Sequence, residues 1–500
     1  MYYFGFFDFL WSKISVMKHP CHLAALATVL LLAACSGEHT VISEDPSLKF
    51  NKDGKFRIVQ FTDVHFTWEK QPEFQRVMDQ CADIIEKEKP DLVVFTGDVV
   101  TGGYCTFEAI DRVLSLFDGN DIPYVYLYGN HDRERQPSEW DLARAVSSRA
   151  NSLNTVTDGH LDDVAVRVMS SDLSRTAAVL YCMDSGDYGT VPEYRNSPWI
   201  AHSQIDWYVD RSRAYSAANG NVPVPSYAFF HIPLHEFAGA YFNDLRSGQT
   251  LEFGEYKGVS GGYALNSGLL SAIEENADIH GVFCGHLHDS DFLSVQGGVA
   301  LAFGRFSGDN TAYNHLTYGA RVIELTEDDY GFHTWIRERS GDVVDDYTYE
   351  VKDDYTRRTA SDIKGLSKGL VLTEYTGVND STYFENAVAV KTDTVACPRL
   401  YTAVEGPAGY VFEGYLRIPE SGLWRLRVSG RESLNLTIDD ISFPLKRVNK
   451  STAEVNLEKG FHPIRIEVTS MKVALWSRLQ WMAPGEDRLY EIPEEYFWHE

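Results

Sequence analysis

The sequence predicts an α/β domain built on a parallel or mixed sheet, followed by a smaller all-β sandwich. Three observations carry this prediction. From Phe56 onward, strand-like and helix-like segments alternate, the order that builds a sheet with helices on its faces. Near Gly341 the composition shifts, and from Leu370 short alternating segments with turn signals take over, as in a β-sandwich. Finally, 500 residues exceed one typical domain, and an apolar fraction of 44% supplies a sizeable core.

In chain order, residues 56–61 form a strand-like run leading into Asp63. Phe74, Val77, Met78, Cys81, Ile84 and Ile85 recur at helical spacing and predict an amphipathic helix over 72–87. A buried-strand run at 92–95 ends at Gly97-Asp98. Phe107, Ile110, Val113, Leu114 and Phe117 trace a second helix, and 124–128 a third strand ending at Gly129-Asn130. Further strands are expected at 177–183, 227–230, 281–283 and 300–303, then a hairpin over 321–336. The stretches 184–199 and 237–266, rich in Gly, Tyr and Pro, read as long loops framing a cleft. This first domain is expected over 49–341. Many charges and few aliphatics make 342–369 a linker, and alternating segments within 410–468 place the sandwich over 370–500.

The N-terminus reads as an export signal. Lys18-His19 precede an apolar stretch, 23–32, too short to span a bilayer, which ends in Leu32-Ala33-Ala34-Cys35-Ser36. Small residues before a cysteine resemble the bacterial lipobox, which implies a signal peptide over 1–35 and a lipid anchor on Cys35. A plain signal peptide cleaved nearby, or a membrane anchor, are the alternatives. Residues 36–48 are polar and acidic, as expected of a tether. The expected location is therefore the bacterial cell envelope, periplasmic or surface-exposed.

A net charge of −27, with no Lys/Arg run, argues against binding a nucleic-acid backbone. Beyond Cys21 and Cys35 five cysteines remain, an odd number without CxxC, so neither a disulfide framework nor a cysteine metal site is indicated.

Five motifs carry the chemistry: Asp63-Val64-His65, Gly97-Asp98, Gly129-Asn130-His131-Asp132, His231 and Gly285-His286-Leu287-His288. Each follows a strand-like run, and open α/β sheets bind ligands at the carboxyl ends of their strands. Mixed Asp, Asn and His donors suit two divalent ions such as Mn, Fe or Zn. Such a pair can generate a metal-bound hydroxide and hold phosphoryl oxygens, with Asp98 the best bridging group. His131 is expected to be catalytic, steadying those oxygens or protonating a leaving alkoxide, with Asp132 fixing its tautomer. His235, Tyr188 and Arg305 are candidates to line the substrate pocket or to serve a structural role.

These residues resemble the calcineurin-like metallophosphoesterase family, whose pattern DxH, GD, GNH[DE], single H and GHxH is matched in order within residues 55–337. The resemblance implies a four-layer β-sandwich flanked by helices. It also implies one metal on Asp63, His65, Asp98 and His288, and another on Asp98, Asn130, His231 and His286. Asp184-Ser185-Gly186-Asp187-Tyr188, Phe230-His231-Ile232-Pro233-Leu234, Asn266-Ser267-Gly268 and Gly319-Ala320-Arg321-Val322-Ile323 look like a branch related to the purple acid phosphatases. Those enzymes place a Tyr ligand where this chain has Thr101, and usually lack a histidine at the position of His65, so a Mn- or Fe-containing DxH centre is expected.

The C-terminal region resembles the protective-antigen type of carbohydrate-associated β-sandwich, through segments such as Ser421-Gly422-Leu423-Trp424 and Gly460-Phe461-His462-Pro463-Ile464. It implies a possible glycan partner, a structural cap being the equal alternative. In calcium-binding modules of this type an Asp-Asp pair precedes the strand found here at 434–438. Gly430-Arg431-Glu432 stands there instead, and Asp439-Asp440 follows the strand. The expected activity is metal-dependent hydrolysis of a phosphate ester. The alternative is a glycan-binding surface lipoprotein with an idle front domain.

Overall fold

Runs of Val, Ile, Leu, Phe and Tyr build the strands of the first domain. In chain order these are β1 (Ser47–Lys49), β2 (Lys55–Phe61), β3 (Leu92–Thr96), β4 (Tyr124–Leu127), β5 (Val164–Met169), β6 (Thr176–Cys182) and β7 (Ser226–Phe229). They continue with β8 (Ile279–Cys284), β9 (Leu293–Gln296), β10 (Val299–Phe303), β11 (Gly319–Thr326), β12 (Phe332–Glu338) and β13 (Val343–Tyr349). The helices are α1 (Pro72–Glu88), α2 (Phe107–Leu114), α3 (Glu139–Ser147), α4 (His202–Ala218), α5 (Glu236–Ser247) and α6 (Leu269–Asn276). The structure is a computed structural model. It describes residues 42–500 except 68–69, 102–104, 135–137, 190, 195–197, 248–264, 310–314, 352–354, 379–383, 385, 403–406, 431–432, 440, 446–451 and 471–474. The signal segment with Cys35, and most of the tether, lie outside the described residues.

Two sheets face each other. One runs β13-β12-β11-β2-β3-β4, with β2, β3 and β4 parallel and the rest antiparallel. The other runs β1-β5-β6-β7-β8-β10-β9, with parallel pairing from β6 through β7 and β8 to β10. Strand residues alternate between two cores, following the two-residue repeat. Ile58, Val94, Val125 and Ile323 pack between the sheets against Leu180, Phe229, Phe283 and Ala302. Val59, Phe61, Val93 and Phe95 face outward and are covered by Val77, Cys81 and Ile84 of α1, Ile110 of α2 and Leu142 of α3. On the far side, the Tyr181 ring meets that of Tyr208 in α4 at 5.0 Å. Helices, sheet, sheet and helices form the four layers.

Three expectations are corrected. The tether closes early, because Ser47 and Leu48 already pair in parallel with β5. The stretch 342–369 does not begin as a linker: β13 pairs antiparallel with β12 and forms that sheet's edge. Tyr347 and Tyr349 pack on the inter-sheet core, Asp345 pairs with Arg305 (3.3 Å), and Asp346 and Thr348 are exposed, as an edge strand tolerates. The region 237–266 is not all loop, since α5 occupies its start. Phe237 meets Phe303 edge-to-face at 5.1 Å, and Ala240 is buried one turn later. Helices α3, α4 and α6 are additions to the elements read from the sequence. The five cysteines, Cys81, Cys105, Cys182, Cys284 and Cys397, are free thiols.

Beyond Leu370 two antiparallel sheets sandwich Phe412, Trp424, Leu426, Ile466 and Trp481. Trp424 and Trp481 rings lie 4.8 Å apart. This sandwich is sewn to the first domain by Leu423 N–H donating to Asn221 O (2.9 Å) and Arg425 Nη2 donating to Glu274 O (2.9 Å). The Asp439 carboxylate is held by His462 Nδ1 at 2.8 Å, while Arg431, Glu432 and Asp440 lie outside the described residues. Among the described residues no helix is long and apolar enough to cross a membrane.

Candidate metal centre

The motif residues gather at the carboxyl ends of β2, β3, β4, β7 and β8, where both sheets present their strand ends to one cleft. The backbone there is shaped for it. Asp63, His65, Asp98 and His286 all adopt positive φ (51°, 48°, 50° and 75°), a conformation that non-glycine residues avoid unless the surroundings enforce it. Hydrogen bonds lock it in place: Asp63 N–H donates to Gly97 O (3.1 Å) and His65 N–H to Asp98 O (2.9 Å). Two motif glycines are required by close approach. A Cβ on Gly129 would sit 2.2 Å from Asp98 Oδ1, and one on Gly285 1.8 Å from Thr62 Oγ1.

Two trios of donors result. Asp63, His65 and His288 offer atoms within 4.8 Å of one another, and so do Asp98, His231 and His286. Asp98 reaches into both groups, with Oδ2 3.2 Å from His231 Nε2 and 3.7 Å from His65 Nε2. Asn130 Oδ1 joins the second group, 3.2 Å from His231 Nε2. In the first, His288 Nε2 lies 3.2 Å from both Asp63 Oδ1 and His65 Nε2.

Supporting groups aim these donors. His231 Nδ1–H donates to Thr96 O (2.8 Å), which leaves Nε2 for a cation. Thr62 Oγ1 donates to Asp63 Oδ2 (2.8 Å), and the backbone N–H of His286 donates to both Asp63 oxygens. His65 Nδ1 lies 3.0 Å from Thr101 Oγ1. The two departures from the purple acid phosphatase pattern are therefore one arrangement: the hydroxyl that replaces the tyrosine steadies the extra histidine. Neither Thr62 nor Thr96 was singled out from the sequence, although each directly precedes a motif.

Charge is concentrated here. Burial pushes the Asp63 carboxyl up, but His288 and His231 outweigh it and hold it at about 2. Asp98 is likewise held far below the usual carboxylate range by His231 and His65 against its burial. Burial pulls His231 down, yet Asp98 lifts it to about 9. His65 and His286 are pulled to about 4 by burial. The donor set therefore fits hard-to-borderline divalent ions: two buried carboxylates, an amide oxygen and four imidazoles, of which His231 and His65 are oriented by partners on their far nitrogens. A proton shared by His231 and Asp98 is what an arriving cation would displace.

His131 lies at the rim, its ring centroid 5.3 Å from that of His65 and its backbone N–H donating to Asp98 Oδ1 (2.8 Å). The expected role of Asp132 is corrected. Asp132 is fully buried and accepts from Gly129 N–H (2.7 Å), Val100 N–H (3.0 Å) and Tyr126 O–H (2.8 Å). It braces the loop, and the carboxylate at the His131 ring is Glu134, 2.8 Å from Nδ1. An acid three residues after the histidine was the available signal. Arg305 is also removed from the pocket, being buried and bonded to Asp291 Oδ2 (2.6 Å). Tyr188 and His235 are exposed.

Residues 56–290 match the calcineurin-like phosphoesterase family. The chain carries a calcineurin-like metallophosphoesterase domain. It is 28% identical over 307 residues to "Probable inactive purple acid phosphatase 29" of Arabidopsis thaliana, covering 55% of this chain and 77% of that one. It is 27% identical over 330 residues to "Phosphatase DCR2" of Saccharomyces cerevisiae, covering 58% and 55%. Among solved structures, a dimetal phosphatase from Danio rerio aligns over 59% of this chain and 99% of its own, with 12% identity and a TM-score of 0.42.

Proposed function

We propose that this phosphoric ester hydrolase acts as a phosphatase or phosphodiesterase at a dinuclear centre. Asp63, His65, Asp98 and His288 would hold one ion, and Asp98, Asn130, His231 and His286 the other. The observation that carries the reading is the convergence of seven donor side chains on one buried cleft with Asp98 between the two groups. A domain that had gone idle would be free to lose any of them. Two divalent ions bound there would acidify a water molecule and offset the charge on the phosphoryl oxygens. The chain's own residues do the rest. Asp63 and Asp98, kept ionised, balance the cations; Thr62, Thr96 and Thr101 hold the ligands in register; His131 faces the outer side, where a leaving oxygen would emerge. The nitrogen and oxygen donors support Mn, Fe or Zn.

Elemental analysis of the purified chain, combined with a panel of phosphate mono- and diesters, tests the proposal. Close to two ions per chain and turnover of at least one ester are expected. Asp98→Ala should lower kcat by roughly 10³-fold together with metal content. Protein that takes up no metal and turns over no ester with Mn, Fe or Zn would overturn it. The run Leu32-Ala33-Ala34-Cys35-Ser36 supports a further part, attachment to the bacterial cell envelope through a lipid on Cys35. Incorporation of a labelled fatty acid, lost in Cys35→Ser, tests that part.

A further inference from the structure

A sheet edge carries backbone N–H and C=O groups without partners, and folded chains protect such edges from pairing with other chains. Most edges of the C-terminal sandwich are protected. The edge strand Ile441–Leu445 carries Pro444, whose nitrogen has no hydrogen to give. The edge of Thr452–Leu457 is covered by an incoming segment: Arg358 N–H donates to Asn456 O (2.8 Å), and Glu458 N–H to Arg358 O (3.0 Å). Ser367–Lys368, Leu400–Thr402 and Tyr490–Glu491 are three residues long or shorter. The remaining edge is different. Strand β14 (Leu370–Thr376) pairs with Ala408–Ile418 on one side and with β15 (Val388–Val395) on the other. Among the described residues β15 pairs with β14 alone. Its eight residues, Val-Ala-Val-Lys-Thr-Asp-Thr-Val, include neither proline nor glycine. All but Val395 are exposed, Val388 by 63% and Val390 by 57%, so the strand buries neither face.

The sequence of β15 is complementary to itself. Residues directly opposite in an antiparallel pair share a face, and side chains alternate along each strand. A two-fold axis perpendicular to the sheet must therefore pass through a residue. Centred on Lys391, it would set lysine against lysine; centred on Asp393, aspartate against aspartate. Centred on Thr392, it sets Lys391 of each copy opposite Asp393 of the other, twice per dimer. Registers centred nearer either end overlap fewer residues. Within one chain Lys391 already lies 3.8 Å from Glu374 Oε1, its neighbour across the ladder, and 3.4 Å from Asp393. The Thr392 register extends that row with alternating sign: Glu374, Lys391, then Asp393 of the second copy. On the opposite face Val390 meets Thr394 and Thr392 meets its own counterpart, β-branched side chains suited to cross-strand packing.

We propose that β15 is the docking edge for a second copy of this chain, paired antiparallel about Thr392 so that one sheet runs through a two-fold dimer. The pairing uses β15 of both copies, so assembly closes at two. One strand pair is a small interface, so the dimer is reversible, with dissociation at roughly micromolar concentration.

Sedimentation equilibrium of the full chain in density-matched detergent should show this monomer–dimer equilibrium. Lys391→Asp sets aspartates across the axis and Asp393→Lys sets lysines there, and each should weaken the dimer roughly 10-fold. Combining the two swaps restores opposite charges and should recover most of the loss. These side chains are exposed, so the variants should melt as the wild type does by circular dichroism. Mild oxidation reads the register separately. Thr392→Cys brings two thiols within disulfide reach across the axis, whereas Val390→Cys leaves them four positions apart along the ladder. A reducible covalent dimer is expected from Thr392→Cys and not from Val390→Cys or the wild type. A wild-type chain that stays monomeric overturns the proposal, whatever other protein pairs with the strand. So do single swaps that dimerise as the wild type does, a double swap no tighter than either single one, equal cross-linking at 390 and 392, or growth beyond two copies.

Discussion

Strand β8 carries a histidine near each end, and the two make an instructive pair. His280, near the amino end, is buried against the rings of Tyr330 (5.4 Å) and Tyr355 (6.3 Å), and its Nε2 has no hydrogen-bond partner among the described residues. His286, just past the carboxyl end, is buried among Asp63, Asp98 and His231. Burial pulls both to about 4. Their basicity is thus the same, but only one has neighbours that make a cation welcome. Perturbed titration alone does not mark a site; charge of opposite sign, gathered at strand ends, does.

Matched substitutions should separate the pair. His286→Leu is expected to cut phosphate-ester turnover by roughly 10³-fold and to empty one half of the centre, as read by steady-state kinetics and metal analysis. His280→Leu should leave turnover within about twofold; a larger loss would break the comparison. Thr101→Val sharpens the carboxyl-end side. It leaves His65 Nδ1–H without its acceptor, and metal affinity should drop roughly 10- to 100-fold while His231 keeps its bond to Thr96 O, measured by competition with a chelator. The smallest effect concerns His280 and pH. Its folded pKa, about 4, lies below the unfolded value near 6.5, so the unfolded chain binds the extra proton first. The stability associated with the neutral ring is complete above pH 6.5 and is lost as pH falls toward 4. Between pH 7 and 5 this amounts to about 2 kcal/mol. Urea unfolding of His280→Leu should show a loss smaller than the wild type's by that amount.

Much of this was legible in the sequence, and the failures have causes. β3 and β4 are short, almost wholly apolar runs buried on both faces, and β2 carries Phe56, Ile58, Val59 and Phe61 in seven residues, so they announce themselves. The same runs fix where Asp63, Asp98 and Asn130 emerge. α4 was hidden because its buried positions, Tyr208, Ser212, Ala214 and Tyr215, include a polar and small residues and form no apolar stripe. β13 was hidden because an edge strand needs only one buried face. The partner of His131 was misassigned because sequence adjacency favoured Asp132. The direction of each side chain in that loop is set by Tyr126, Val100 and Asp184, which lie on other segments.

The positive φ angles of Asp63, His65, Asp98 and His286 bear on the stability of the fold as well as on its chemistry. Each holds an unfavourable backbone state of order 1 kcal/mol. At Asp98 that strain is offset even without cations, because the carboxylate is paired with His231 and accepts the His131 N–H. Asp98→Gly would relax the backbone but leave His231 buried without its counter-charge, so the strained angle and the charge pair at this position oppose each other in the stability of the ion-free fold.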